Sequence, residues 1–487
     1  MNASVLKTLF SDAAYAALAP LFALGIGALA VLVAGLFPLG KVARAVLVLL
    51  TLLAAAALNV GMLLGDSVPG LVLDGTFVAD RTTAMWGVIF TIGVGLAWLF
   101  SRHYYDEDAS HQNEHDVLML ASALGMSLMA GARDLIVFFI GLELLSIPLY
   151  ALAAFRRNRA KSVEAGLKYF LLGAFAAGFF LYGSALIYAV SGTLKLDVFA
   201  DPASRAKILE SPMALVGVAM LTGSLFFKIS VFPFHLWVPD VYEGSPTPVT
   251  GLMATGTKAA AFAFLLNALL ALPSSTSTSL AIIALITMAL GNLGALVQQD
   301  VKRMLAYSGI AHAGVVLLGI AGAVAGDPKQ GGAVQAALFY MAAYVATAGG
   351  AFGVLALLER DGERMTTLEG LKGLGQRRPY LAAALTVFML SLAGIPATGG
   401  FLGKWMVFSV AVRAEMIPAA VVGVLLSVVA LGYYLRVIIA MWMQEPGEDS
   451  PLASTRAIAL PATLASAACV ALVLVMGLAP RWFLDHM

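Results

Sequence analysis

The sequence predicts an all-α polytopic membrane protein of about fourteen transmembrane helices, with broken seventh and twelfth helices and two inverted five-helix repeats. Three observations carry that expectation. Of the 487 residues, 61% are hydrophobic and 12% charged, and the mean hydropathy is +0.91, beyond what a soluble domain of this size reaches. The apolar residues are gathered into runs of about 20, the length that crosses a bilayer, separated by polar breaks. Two of these runs, "LFFKISVFPFHLWVPD" and "SLAGIPATGGFLGKW", combine a lysine with helix-breaking proline or glycine.

Composition also excludes several function classes. A net charge of +1 and the lack of basic runs with interleaved aromatics leave no electrostatic footprint for nucleic acid. Cys469, the single cysteine, can form neither an internal disulfide nor a thiolate cluster. No His or carboxylate cluster has metal-ligand spacing, and no Ser, His and Asp set suggests hydrolysis. "GIGALA", Gly25 to Ala30, has the glycines of a dinucleotide loop but lies inside an apolar run without a preceding strand.

The runs follow one another along the chain. Residues 13–36 form an apolar stretch longer than a signal-peptide core, so a retained first span is expected, followed by 42–64 and 83–101. Spans at 115–131, 134–154, 163–190, 213–238 and 249–271 make the first repeat; spans at 278–298, 304–325, 333–358, 380–412 and 417–443 make the second. A last span covers 457–480. The two broken runs are five spans apart, and an odd offset gives them opposite orientation, the mark of an inverted repeat. The expected organisation is a three-helix segment over 1–110, repeats over 111–275 and 276–445, and a final helix over 446–487.

Of the 29 basic residues, sixteen fall in odd-numbered loops and nine in even-numbered loops and termini. By the positive-inside rule both termini lie outside the cytoplasm, on the periplasmic side of a bacterial inner membrane. The remaining four, Lys168, Lys228, Lys258 and Lys404, lie within spans, and Glu143 is the acid near the centre of one. A charge at the bilayer centre costs at least about 2.5 to 3.5 kcal/mol, so these are functional candidates. Snorkelling to the headgroups is the competing reading for Lys168, about five residues into its span. His312 in "YSGIAHAGVV" is a candidate relay and His235 in "FPFHLW" a weaker one; each competes with an ordinary hydrogen-bonded helix contact.

The energetics suit proton transport. Moving one proton against about 180 mV costs about 4 kcal/mol. A swing of about three units in a lysine's proton affinity, at about 1.36 kcal/mol each, matches that cost. A Glu143 to Lys228 pair that forms and breaks would supply it. Lys258 is expected near the midplane, joined to the second repeat through water rather than by direct contact. Lys404 is expected toward the outer side, solvated by carbonyls of an unwound "GIPATGGFLG".

The stretches "GLELLSIPLYAL", "EAGLKYFLLGAFAAGFFLYG", "FKISVFPFHLWVPDVYEGSPTPVTGLMATGTKAAAF" and "SLAGIPATGGFLGKW" resemble the antiporter-like membrane subunits of respiratory complex I, and most closely the chain N type. The resemblance implies fourteen helices with two inverted repeats and a proton path matching Glu143, Lys168, Lys228, Lys258 and Lys404 here. It also implies that NADH, flavin, iron-sulfur clusters and quinone belong to partner subunits, with no cofactor in this chain and no complete redox activity of its own. The implied partners are neighbouring antiporter-like and small membrane subunits, with lipid, protons and water. A lysine on the twelfth span separates this chain from the chain M type, which carries glutamate there. The alternatives are a subunit of a multi-subunit cation/proton antiporter, which shares the fold, and a solute transporter, which would gather its charges at one site.

Overall fold

A computed structural model describes residues 12–37, 40–65, 68–105, 112–269, 273–326, 332–359, 363–445 and 459–485. The expected domain boundaries at 110/111 and 445/446 fall at or beside residues outside this set. The described chain is a bundle of helices with one small hairpin, β1 (Gly70–Val72) paired antiparallel with β2 (Phe77–Ala79).

The leading helices are α1 (Asp12–Ala34), α2 (Lys41–Leu64) and α3 (Arg81–Tyr104). They are followed by α4 (Gln112–Gly131), α5 (Leu135–Ala153), α6 (Ala160–Ser191) and α7 (Pro212–Ile229). After α7 the chain turns and resumes as the short α8 (Trp237–Gly244) and the long α9 (Thr247–Leu266). Then come α10 (Ser277–Leu296), α11 (Val301–Ala325), α12 (Ala333–Glu359), α13 (Pro379–Ala393), α14 (Gly399–Arg413), α15 (Ile417–Met443) and α16 (Leu460–Leu478). Among the described residues twelve helices are long and apolar enough to cross a membrane. The expected fourth segment is α4, and the expected twelfth is the broken pair α13 and α14.

Helix starts follow capping chemistry. The Asp80 carboxylate accepts from Thr83 N at 2.7 Å ahead of α3, Asp134 from Ile136 N at 2.8 Å ahead of α5, and Asp300 from Arg303 N at 2.9 Å ahead of α11. Small residues let helices approach closely. A Cβ at Gly125 of α4 would stand 2.4 Å from Leu145 N of α5, and one at Gly291 of α10 would stand 2.6 Å from Ala311 N of α11.

Burial sorts the helices into inner and outer. α9 is buried over its whole spanning window and α11 and α12 over 94%, whereas α2 and α15 are buried over 28%. Outer helices present Leu, Val and Ile to the surroundings, as a chain solvated by lipid should. The inner helices α9, α11 and α12 hold Lys258, His312, Tyr340 and Tyr344.

Candidate functional site

The first broken helix sets the position of Lys228. The α7 helix ends at Ile229, Ser230 takes a left-handed conformation (φ 66°), and residues 230–236 turn before α8 begins. Lys228 is thereby buried at a helix end, where its ammonium donates to Ser146 Oγ of α5 at 2.7 Å and to Tyr169 OH of α6 at 3.3 Å. It also lies 5.3 Å from the Tyr169 ring centroid, a cation-π distance.

Glu143 is one turn before Ser146 on α5 but forms no ion pair or hydrogen bond with Lys228. It is half-buried on the face that carries Ile140 and Ile147, which are 52% and 59% exposed. The expected Glu143 to Lys228 pair is not formed in this structure. His235 lies in the turn after α7, away from this lysine's hydrogen bonds.

Lys258 is aimed by a local defect in α9. Residues Met253–Thr257 form a single π-helical turn, and the Thr255 and Thr257 hydroxyls donate to Gly251 O at 2.7 Å and Met253 O at 2.5 Å. Such a bulge re-aims the residue that follows it. Lys258, 2% exposed, donates directly to Gly309 O of α11 at 2.6 Å. This corrects the expectation of a contact through water only. At Gly309 no side chain intervenes, so the ammonium reaches the backbone of the second half of the chain. Among the described residues no hydrogen bond joins Lys228 to Lys258.

One turn along α11 from Gly309 lies His312. Its Nδ1 is 2.5 Å from Tyr340 OH and its Nε2 is 3.1 Å from Tyr434 OH, while Tyr434 OH is 2.5 Å from Ser308 Oγ. The Tyr344 ring lies 5.0 Å from the imidazole, and a Cβ at Gly309 would stand 3.0 Å from Lys258 Nζ and 3.1 Å from Tyr344 OH. Lysine, tyrosine and histidine thus border one point on α11.

Beyond His312 two small cavities lead to the second break. One is lined by His312, Tyr340, Tyr344, Thr347, Ser391 and Gly400, the other by His312, Asn292, Tyr433, Ser427 and Lys404. Each is about 10 Å³, at the lower limit for one water. Helix α13 stops at Ala393 and α14 starts at Gly399, and Lys404 donates to Leu392 O at 2.9 Å and Ala393 O at 3.1 Å. Carbonyls freed by the break solvate this buried ammonium, as expected, and no carboxylate lies within 4.0 Å of it among the described residues. The unwound segment is shorter than expected, residues 394–398 only.

Lys168 is not part of this buried line. Its side chain is 42% exposed and it pairs with Glu164 at 2.7 Å and Asp240 at 3.0 Å. Asp240 also accepts from Arg303 at 2.8 Å, and Glu243 from Arg303 at 2.9 Å and Lys161 at 3.2 Å. Partial burial alone would raise both acids, but these hydrogen bonds and charges outweigh it and hold Asp240 and Glu243 below the usual carboxylate range.

Sequence reasoning missed the tyrosines around His312 and a second polar cluster at the same end as Lys168. Glu359, the last residue of α12 and 7% exposed, lies 3.5 Å from Arg159, 3.8 Å from Lys302 and 4.0 Å from Arg156, and accepts from the Thr247 hydroxyl. A cavity of about 60 Å³ lies among Glu359, Lys302, Arg156, Ser245 and Glu243. Glu359 stands one residue past the apolar run, so the sequence placed it in a loop. The signal that could have found it is Lys302 and Glu359 at facing ends of two apolar helices.

Fold and site together define a multi-span membrane bundle with a buried lysine at each of two broken helices and a line of titratable groups from Lys258 of α9 to the second break, the arrangement of a charge-conducting membrane subunit. Residues 132–430 match the family described as NADH:quinone oxidoreductase/Mrp antiporter, TM. NADH-quinone oxidoreductase subunit N of Trichlorobacter lovleyi is 46% identical over 376 residues, 76% of each chain. A chain of respiratory complex I from Thermus thermophilus superposes with a TM-score of 0.79 at 35% identity, covering 96% of this chain and 98% of that one. A chain of the Mrp complex from Dietzia sp. shares the fold with a TM-score of 0.78 at 22% identity, covering 100% of this chain and 96% of that one. The chain belongs to the NADH:quinone oxidoreductase/Mrp antiporter membrane family and, within it, to the NADH-quinone oxidoreductase subunit N family.

Proposed function

We propose that this chain is the proton-translocating, antiporter-like membrane subunit N of an NADH:quinone oxidoreductase, conducting protons while partner subunits carry NADH, flavin, iron-sulfur clusters and quinone. It is a multi-pass subunit of the bacterial inner membrane with both termini on the periplasmic side. The observation that carries the reading is the succession from Lys258 through Gly309, Tyr344, His312 and Tyr340 to the cavities beside Lys404. Between the two lysines it places His312, Tyr340 and Tyr344, titratable side chains that can hold or pass a proton with water in the intervening cavities.

In this reading the cavity at Glu359 is the cytoplasmic inlet. Lys228 and Glu143 form a switch that loads Lys258 when they separate, and Lys404 is the outer exit. The matching close packing of α4 on α5 and α10 on α11 supports two inverted repeats over spans 4 to 8 and 9 to 13, with the broken pairs as the seventh and twelfth of fourteen crossings. The half-exposed face around Glu143 is then covered by a neighbouring membrane subunit, since a carboxylate facing lipid is costly.

Affinity purification through a tag on this chain tests the assignment. The assembly should contain flavin and iron-sulfur subunits and oxidise NADH with quinone. A chain that purifies alone, or with cation antiporter subunits and no flavin, would overturn it.

A further inference from the structure

The largest of the grooves described lies away from the proton line. It has a volume of about 450 Å³, inside the range of about 300 to 1,000 Å³ typical of ligand sites, and is lined by Gln299, Thr367, Lys372, Arg436, Ile439 and Gln444. We propose that this groove binds the headgroup of an anionic phospholipid.

The groove is held open by backbone contacts. Leu368 N donates to Gln299 O at 2.9 Å and Gly373 N to Ala440 O at 3.2 Å, pinning the loop between α12 and α13 to the end of α10 and to α15. Its main charge is Arg436. The guanidinium donates to the Leu296 carbonyl, to Gln298 O at 3.3 Å and to Gln299 Oε1 at 3.4 Å, closing the C-terminus of α10. Among the described residues no carboxylate lies within 4.0 Å of it, and Glu369, the one acid lining the groove, pairs instead with Lys372, so the groove carries two cations and one anion.

Lys372 pairs with Glu369 at 2.6 Å, but the Glu369 side chain is 69% exposed. Exposed pairs of this kind are weak, so the ammonium can turn to a phosphate at little cost. All the polar lining comes from one end of the bundle, the end shared with the basic loops, and basic pockets between helices on the cytoplasmic side suit anionic headgroups.

The surface beside the groove separates a lipid from free phosphate. Toward membrane depth from Arg436, α15 exposes Leu425, Val428 and Leu435 and α10 exposes Leu293, with Val297 exposed just past the end of α10. These exposed apolar residues lie on the helices that carry the groove, a surface that an acyl chain would cover and a phosphate ion would not use.

Native mass spectrometry of the full chain, titrated with phosphatidylglycerol and phosphatidylcholine of identical acyl chains, tests the assignment. The anionic lipid should bind about fivefold or more tightly than the zwitterionic one, and Lys372→Gln should lower its binding by about fivefold. Glu369→Gln, which frees Lys372 and sits on an exposed surface, should strengthen it. Equal binding of the two lipids, or Lys372→Gln and Glu369→Gln both behaving as wild type, would overturn the proposal. Displacement of phosphatidylglycerol by inorganic phosphate at equal concentration would also overturn it, leaving a free-anion site.

Discussion

Gly309→Ala is the smallest change that touches the centre of the line. The new Cβ would lie 3.0 Å from Lys258 Nζ and 3.1 Å from Tyr344 OH, while non-bonded heavy atoms settle at about 3.5 Å. Both polar groups must retreat by roughly 0.4 to 0.5 Å, which stretches the 2.6 Å bond from Lys258 to Gly309 O to about 3 Å. A hydrogen bond to a charged group is worth about 1.5 to 3 kcal/mol, and weakening it by about a third to a half costs about 1 kcal/mol, or about fivefold in a rate. Alanine favours helix over glycine by about 1 kcal/mol, so the fold and assembly should survive. NADH-driven acidification of everted membrane vesicles should slow about fivefold in Gly309→Ala and further in Gly309→Val. Gly178→Ala, whose Cβ meets nothing within 4 Å, should behave as wild type. Wild-type acidification by assembled Gly309→Val would refute the reasoning.

Lys404→Ala and Lys404→Arg should both slow proton release in the same vesicles, the second because a guanidinium keeps its proton at any working pH; normal pumping by Lys404→Leu would make this lysine structural. Glu359→Gln leaves Arg159, Lys302 and Arg156 around a neutral amide. Removing one partner of a buried ion pair costs up to about 3 to 5 kcal/mol, so melting by scanning calorimetry should shift down and proton uptake should slow, while Glu359→Asp should retain most of both. Asp240 is held below the usual carboxylate range by Lys168 and Arg303 against its partial burial, so its stabilising contribution is complete above about pH 4 and is lost as pH falls through its lowered value. The melting difference between wild type and Asp240→Asn should be flat from pH 8 to 5 and shrink only below about pH 4.

The helices were legible because their signal is local. Apolar runs, Asp80, Asp134 and Asp300 at helix starts, and glycine or proline at the breaks all act within a few residues. The buried lysines were legible for the same reason, since a charge inside an apolar run is costly wherever the run packs. What joins them was not. The π-helical turn before Lys258 has no marker in "MATGT", and the direct bond to Gly309 depends on how α9 meets α11. Tyr340, Tyr344 and Tyr434 read as ordinary aromatic residues until α12 and α15 bring their hydroxyls and rings around His312. Lys168 carried the same local signal as the other lysines, yet its ion pairs with Glu164 and Asp240 place it outside the line.

In the proposed path protons pass through Lys258 on their way to Lys404. The most direct measurement is the number of protons moved per NADH oxidised by vesicles carrying Lys258→Ala, with assembly verified by the flavin and iron-sulfur content of the purified complex. A lower ratio is expected, because the alanine removes the ammonium that bridges the two halves at Gly309 O. An unchanged ratio in a fully assembled complex would contradict it.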